Sequence, residues 1–360
     1  MNYEAKQSTP NLHPDVHAPW SQWSNDQTLH VAVAYSNPFR WQSRRQLMND
    51  FRAHMSVQAN VVLHVGELAY GDRPFEVTGN HSGDVQFRTN SELFHKENIL
   101  NEVIKTFPAG WKYGVYIDAD FSFTRQGWAL ETIHQLQHSP WVQPFSTYTA
   151  LSAKGSGGSQ PGSPRTTFAA TYIANGYKLP EYDYNAGWDV RAVKDSGLSS
   201  ETKATAPAKW VPVGATGGAW AFTRSAFDGV GGLLDCCILG HADWFMAFGL
   251  VSQPTRGTIA NSKFHPHYAA QISGWQERAG GVFKADIGVV DQFAIHHFHG
   301  SMAKRGYDSR DQILVKYQFD PMVDLKRNWQ GIYELTGNKP GLRDAIRGYF
   351  LSRDEDNPNG

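Results

Sequence analysis

Asp118-Ala119-Asp120 sets two carboxylates one residue apart, directly after the apolar run Tyr113 to Ile117 (YGVYI). In an extended chain such residues point the same way, and two converging carboxylates repel unless a cation joins them. Hard oxygen ligands of this kind suit Mg2+ or Mn2+, ions that can also hold a diphosphate. A solvated turn is the alternative; the strand before the triplet and Phe121 and Phe123 after it favour the metal. The second feature is His296-His297-Phe298-His299-Gly300. In extended chain His297 and His299 face one side, and a neutral imidazole is a fitting third ligand for Mn2+ beside carboxylates. Hydrogen-bonded structural histidines are the other reading.

Asp243, in Gly240-His241-Ala242-Asp243-Trp244, lies among apolar neighbours that would desolvate it, raise its pKa and suit it to general-base work. An Asp at a helix start is equally natural as a cap. Lys96-Glu97-Asn98 and the later Arg305, Tyr307 and Arg310 supply groups able to hold phosphate or ribose, or to sit solvated on a helix. His265-Pro266-His267 also has metal-like spacing, but no acid lies close in sequence, and it reads as structural.

These side chains need elements to position them. Leu29 to Tyr35 (LHVAVAY), ended by Asn37-Pro38, reads as a buried strand. Trp41 to Met55 follows as an amphipathic helix with Leu47, Met48, Phe51 and Met55 on one face, and Asn60 to Val65 (NVVLHV) is the next strand. Strand, helix, strand opens an α/β sheet. A helix over Ser91 to Phe107, capped by Ser91 and stopped before Pro108, leads to the strand Tyr113 to Ile117, whose carboxyl end carries the paired acids. Ligands of open α/β sheets gather there.

A helix over about Gly127 to Gln137 comes next. Two polar stretches, Lys154 to Arg165 and Lys194 to Ala208, read as mobile loops or lids, or as passive insertions. Between them Tyr172, Tyr177, Tyr182, Tyr184 and Trp188 form an acceptor wall or part of the core. Val211 to Phe222 holds a glycine turn, Thr216-Gly217-Gly218, before a helix near Ser225, a second turn at Gly229 to Gly232 and a buried helix over Gly240 to Leu250. This divides the chain into an arm (1–28), a catalytic domain (29–310, its halves meeting near residue 140) and a wrapping extension (311–360).

Composition narrows the classes. With 360 residues, 41% hydrophobic, the chain can bury a real core, which excludes general disorder. Lys plus Arg total 33 against 34 Asp plus Glu, so no global field recruits nucleic acid or an acidic membrane. The two cysteines are adjacent, Cys236 and Cys237, which excludes a disulfide scaffold and a cysteine zinc module and fits a reducing compartment. The first residues lack the apolar core of a secretion signal, and no run approaches the roughly 18 residues of a membrane span, so a cytoplasmic protein is expected. The 12 Trp, 15 Tyr and 20 Phe exceed ordinary core needs, and surplus rings stack on sugars and bases. No Gly-x-Gly-x-x-Gly follows the first strand, and neither a phosphate loop nor a Gly-x-Ser-x-Gly elbow is present, which sets aside nicotinamide, P-loop and serine-hydrolase chemistry.

In order, these pieces resemble the GT-A glycosyltransferases, metal-dependent enzymes that move a sugar from a nucleotide-sugar donor to a hydroxyl; the likeness spans about 29 to 350. It implies a Rossmann-like α/β fold, with a mixed, mostly parallel central sheet flanked by helices and a C-terminal extension. It implies that the first strand and its loop, Val31 to Arg40, hold the nucleoside, with Ala34, Tyr35, Ser36 and Arg40 at the site and Lys96 and Asn98 from the helix below. Asp118-Ala119-Asp120 looks like the family's Asp-x-Asp motif, whose acids meet the metal and the donor ribose. Gly217 and Gly218 resemble the turn beside the donor sugar, and Asp243 would be the catalytic base. His296 to Gly300, with Arg305, Tyr307 and Arg310, is similar to a His-x-x-His-Gly signature in bacterial and phage members, its histidines completing the metal site; spacing favours His297 or His299, and the family pattern allows His296.

The activity so implied is inverting transfer from a nucleoside diphosphate sugar, a UDP-sugar in most such enzymes, with Mn2+ or Mg2+. The acceptor is a glycan precursor or a hydroxymethylated pyrimidine in DNA. A non-catalytic sugar-binding module and a metal-dependent nucleotide-sugar hydrolase are the alternatives.

Overall fold

Leu29, Val31, Val33 and Tyr35 enter one apolar cluster while Ala32, between them, enters another, so the first strand is covered on both faces. The computed structural model describes residues 26–153, 160–179, 213–255, 259, 262–301, 303–307 and 309–357. The expected arm up to residue 25, the stretch Lys194 to Ala208, residues 154–159 of the other polar stretch, and Tyr182, Tyr184 and Trp188 lie outside the described residues.

Strand β1 (Leu29–Ser36) is followed by α1 (Gln42–Ser56), which buries Met48, Phe51 and Met55 against one side of the sheet. The chain returns as β2 (Val61–Tyr70), parallel to β1, and adds β3 (Asp84–Thr89) parallel to β2. It then crosses to the other face as α2 (Lys96–Ile104) and re-enters as β4 (Tyr113–Ile117) on the far side of β1. After β4 come β5 (Phe121–Phe123), α3 (Trp128–Leu136), β6 (Trp141–Gln143), β7 (Thr147–Ala150), β8 (Arg165–Thr166) and α4 (Phe168–Ala174). The second half supplies β9 (Ala219–Thr223), α5 (Arg224–Val230), α6 (Ala242–Leu250), α7 (Pro266–Phe283), β10 (Ile287–Val289) and β11 (Phe293–His296). Last are α8 (Asp311–Lys316), α9 (Pro321–Asp324), the hairpin β12 (Leu325–Arg327) and β13 (Tyr333–Leu335), and α10 (Pro340–Ser352).

The fold is mixed α/β. Its seven-stranded sheet has the order β10-β6-β9-β4-β1-β2-β3, in which β9 alone runs against its neighbours. A four-stranded sheet, β5-β11-β7-β8, stands beside it. Because the chain leaves β1 toward β2 and β3 on one side and toward β4 on the other, the carboxyl ends of β1 and β4 flank a crevice, the topological switch point where α/β sheets bind ligands. Among the described residues no helix is long and apolar enough to cross a membrane.

The C-terminal segment shares the core. Leu314, Phe319, Leu325, Ile332, Leu342, Ile346 and Phe350 belong to the same cluster as α2, α6 and α7. The tail then folds back on the start of the chain: Glu355, buried, pairs with Arg44 at 2.6 Å and Arg353 at 2.8 Å. Asp356 accepts from the backbone N–H of Gln42 and Ser43, both at 2.8 Å, capping α1 from across the chain where its own N-cap residue, Trp41, makes no side-chain bond. Helix α2 starts at Lys96, later than expected; Ser91 caps nothing there, its hydroxyl instead accepting from Leu335 N–H at 2.9 Å.

Candidate active site

Strand β4 delivers Asp118 to the crevice, where its N–H donates to Gly218 O at 2.7 Å and its carbonyl accepts from Phe121 N–H at 3.0 Å. The chain turns here instead of staying extended, so the two carboxylates part. Asp118 pairs with Lys96, whose Nζ lies 3.1 Å from Oδ1 and 3.4 Å from Oδ2, and it is not part of the metal-like cluster in which it was expected. Asp120 turns the other way, with Oδ2 2.6 Å from His299 Nε2 and 3.4 Å from His296 Nε2, and those two nitrogens are 3.3 Å apart.

His296 closes β11 opposite Phe121, on which its ring stacks at 4.8 Å. Beyond it the strand ends, and the chain curls to bring His299, three residues on, beside His296. His297 points to the opposite face, where its Nε2 is 2.8 Å from Ser122 Oγ. The expectation that His297 joins His299 at the metal is therefore corrected: it required extended chain through residue 299, and extension stops at 296.

One carboxylate oxygen and two imidazole nitrogens thus converge, and Asp120 Oδ1 is buried without a hydrogen-bond partner. A divalent cation fits this set. The two nitrogens count against Mg2+, which keeps oxygen ligands, and leave Mn2+ as the better match of the two expected ions. Burial works to raise the Asp120 carboxyl, but His299 and His296 hold it well below the ordinary range. Burial, aided by Arg305, pushes His299 down to about 4, so an ionised carboxylate faces a neutral imidazole.

Glycines 217 and 218 make room on the other side. A Cβ on Gly217 would lie 2.7 Å from Asp243 Oδ2, and one on Gly218, whose φ is +94°, would lie 2.8 Å from Phe121 and 3.0 Å from Phe145. Asp243 sits in the first turn of α6, with Thr216 Oγ1 donating to Oδ2 at 3.4 Å. The preceding residue pair is anchored by His241 Nδ1, 2.8 Å from Asp311 Oδ2, which ties α6 to α8. Charge is dense here. Burial opposes the Lys96 ammonium, yet Asp118, Glu97 and Asp243 hold it well above its ordinary value. Burial raises Asp118, with Asp120 and Asp243 adding to the effect against Lys96, and burial pushes Glu97 up to about 7.

Arg305 and Arg310 are 9% and 6% exposed, and among the described residues neither forms an ion pair with a carboxylate. Both Nε atoms are buried without a partner. Their contacts are with tyrosines: Arg305 Nη1 is 3.4 Å from Tyr307 OH, Arg310 Nη1 is 3.4 Å from Tyr349 OH, and the Arg310 guanidinium lies 4.8 Å over the Tyr307 ring. Burial would raise the Tyr307 hydroxyl, and the two arginines bring it below its ordinary value.

At the end of β1, Tyr35 OH donates to Glu76 at 2.6 Å, Ser36 Oγ meets Tyr70 OH at 2.7 Å, and the exposed Arg40, with φ +58°, is 3.9 Å from Glu76. Tyr35, Asn37, Arg40, Glu67, Tyr70, Arg73 and Glu76 line a shallow cavity, of which Ser36 is not a lining residue; Ala34 lies half-buried just before it. Asn98 is not at this cavity. It is buried in the C-terminal hairpin, its Nδ2 donating to Gly331 O at 3.1 Å and its Oδ1 accepting from Tyr333 N–H at 2.8 Å, so its expected place at the nucleotide is corrected to a structural one. Two supports were not anticipated: the His241–Asp311 bond and the Glu355 cluster, which packs behind the ligand loop where Cα of Glu355 lies 3.2 Å from a Cβ placed on Gly300. No protein-family model matches the chain, and no curated protein matches it.

Proposed function

We propose that the chain is a GT-A glycosyltransferase that transfers a sugar from a nucleoside diphosphate sugar to an acceptor hydroxyl. One observation carries this reading: four sequence-distant segments, at Lys96, Asp118–Asp120, Gly217–Asp243 and His296–Arg310, converge on the carboxyl ends of the central strands. The parallel order β3-β2-β1-β4 beside an antiparallel β9 supports the same fold family.

Asp120, His296 and His299 would hold Mn2+, which when bound supplies positive charge against that building on a departing diphosphate. Arg305 and Arg310 bind the diphosphate oxygens, since buried guanidiniums without carboxylate partners favour an anionic ligand with planar, paired acceptors. Lys96 holds the Asp118 carboxylate in place to accept from a ribose hydroxyl. Tyr35, Ser36 and Arg40 receive the nucleoside, a UDP moiety in the first instance. Gly217 and Gly218 leave the donor sugar its space next to Asp243, which removes the acceptor proton during a direct, inverting displacement. A glycan precursor and a hydroxymethylated pyrimidine in DNA are the acceptor classes.

The test is thermal stability across nucleotides and nucleotide sugars with and without Mn2+, followed by label transfer. A ligand at 100 times its Kd raises stability by about 2.7 kcal/mol. A Mn2+-dependent shift with one nucleotide family, and transfer giving the anomer opposite to the donor's, are expected. Donor consumption without any acceptor would replace transfer by hydrolysis, and binding without turnover would leave a sugar-binding module.

A further inference from the structure

We propose a second metal site, built from His265, His267 and Asp320, that takes Zn2+ and fastens α7 to the C-terminal segment. It rests on residues remote in sequence from the proposed donor site, and it stands or falls independently of the glycosyltransferase reading.

The argument starts from Pro266. As the first residue of α7 its ring fixes the backbone of the first turn, with His265 as N-cap before it and His267 after it. The two imidazoles therefore flank the helix start, their centroids 5.1 Å apart and their planes at 67°. Asp320 arrives from the start of α9, where its Oδ1 accepts from Met322 N–H at 2.9 Å. Its Oδ2 lies 3.0 Å from His267 Nδ1 and 3.8 Å from His265 Nδ1, which without an ion accepts from His267 N–H at 3.3 Å and would exchange that cap bond for the metal. Bonds of about 2.0–2.1 Å in a tetrahedral zinc site put ligand atoms about 3.4 Å apart, and these two separations bracket that value.

The donor set is two borderline nitrogens and one carboxylate oxygen, which suits Zn2+ more than Mg2+ or Ca2+. The side chains are 26%, 57% and 11% exposed, so an ion can enter from solvent and keep a water as its fourth ligand. The positive end of α7 opposes a cation, and the carboxylate offsets it. Behind the cluster Tyr268 packs on Phe264 at 5.0 Å and on Phe319 at 5.4 Å, so an ion here would lock an aromatic contact that joins α7 to the chain leading into α9. This is a structural site: no buried cation or glycine turn adjoins it among the described residues.

The full chain is stripped of metal and titrated with Zn2+ by calorimetry, and with Co2+ by visible absorption, which reports tetrahedral coordination. The Asp120 cluster also offers two histidines and an acid, so the wild type is expected to take two equivalents and Asp120→Asn with His299→Gln one. That remaining equivalent should bind tighter than about 1 µM. Adding His267→Gln, at an exposed position, should weaken it at least about 100-fold, since even outer-shell changes at metal sites cost 10- to 100-fold. Zn2+ should raise the Tm of the Asp120/His299 variant and leave that of the triple variant unmoved. Absence of a Zn2+ equivalent in the Asp120/His299 variant, or its survival after His267→Gln, overturns the site. Should that background fail to fold, His267→Gln alone decides: it must lower the wild-type stoichiometry by one equivalent, whatever the Asp120 cluster takes.

Discussion

Asp120 with His296 and His299, and Asp320 with His265 and His267, are the same three ligand types in two settings. The first cluster lies at the switch point of the central sheet, half-buried, with one Asp120 oxygen unpartnered and Asp118 and Arg305 within electrostatic reach. The second lies at a helix start, with the solvent on one side and its carboxylate already used as a helix cap. Ligand identity alone does not separate them. What separates them is the surroundings: among the described residues, buried polar atoms without a partner are found around the first and not around the second. In a third histidine pair, His30 and His64, Nδ1 and Nε2 are 3.1 Å apart beneath Phe107, both imidazoles are buried, and Asp26 acts on His30 from a distance.

The largest effect should fall on the first cluster. Asp120→Asn keeps the side-chain shape and removes the anionic ligand, and transfer should drop by at least about 10³-fold, roughly 4 kcal/mol of barrier. The Mn2+-dependent thermal shift should vanish with it. His267→Gln, measured in the same assay, should leave transfer within about twofold of wild type. If both variants lose activity equally, the contrast between the two clusters is wrong.

The His30–His64 pair sets the next step down. Burial pushes His64 to about 4, with His30 adding to the effect, so the folded state keeps this imidazole neutral while the unfolded chain protonates near 6.5. A depressed pKa stabilises the fold fully above 6.5 and less as pH falls toward 4. The shift corresponds to about 3 kcal/mol lost across that window. Urea midpoints taken from pH 7 to 4.5 should fall in both proteins, because His95 and His299 are also pushed to about 4, and should fall less in His64→Gln by the share that this imidazole carries. Equal slopes in the two proteins would show that His64 is not the group responsible.

Strands were the most legible part of the sequence. Tyr113 to Ile117 is a strand to the residue, and β1 and α1 agree with expectation within one residue at each end, because continuous apolar runs and one-faced helices carry a clear period. The eighteen-residue α7 went unrecognised: Gly274, Gly280 and Gly281 break its pattern, and contacts with α6 and α5 hold it instead. The site was legible as a set of residues and less so as a geometry. Asp118 and Asp120 were expected to converge, yet a turn separates them and Lys96, twenty-two positions away, claims one. Asn98 carries no local mark of its role, since the hairpin that it holds lies far along the chain. His265 and His267 have the structural roles expected of them, one capping α7 and the other bonded to Asp320, but that acid lies more than fifty positions on and leaves no mark near them in the sequence.

The smallest predicted effect is the most discriminating, because it compares neighbours. His296, the last residue of β11, faces Asp120, and His297, the first residue beyond the strand, faces Ser122. His296→Gln should weaken Mn2+ binding and reduce transfer by about 10- to 100-fold. His297→Gln removes one half-buried hydrogen bond, worth about 1 kcal/mol of stability, and should leave metal affinity and transfer within about threefold. Isothermal titration with Mn2+ on both variants reads the difference directly. If His297→Gln is the one that loses the ion, extended chain through residue 299 must hold in the metal-bound protein, and the turn after His296 would have to open for the metal to bind.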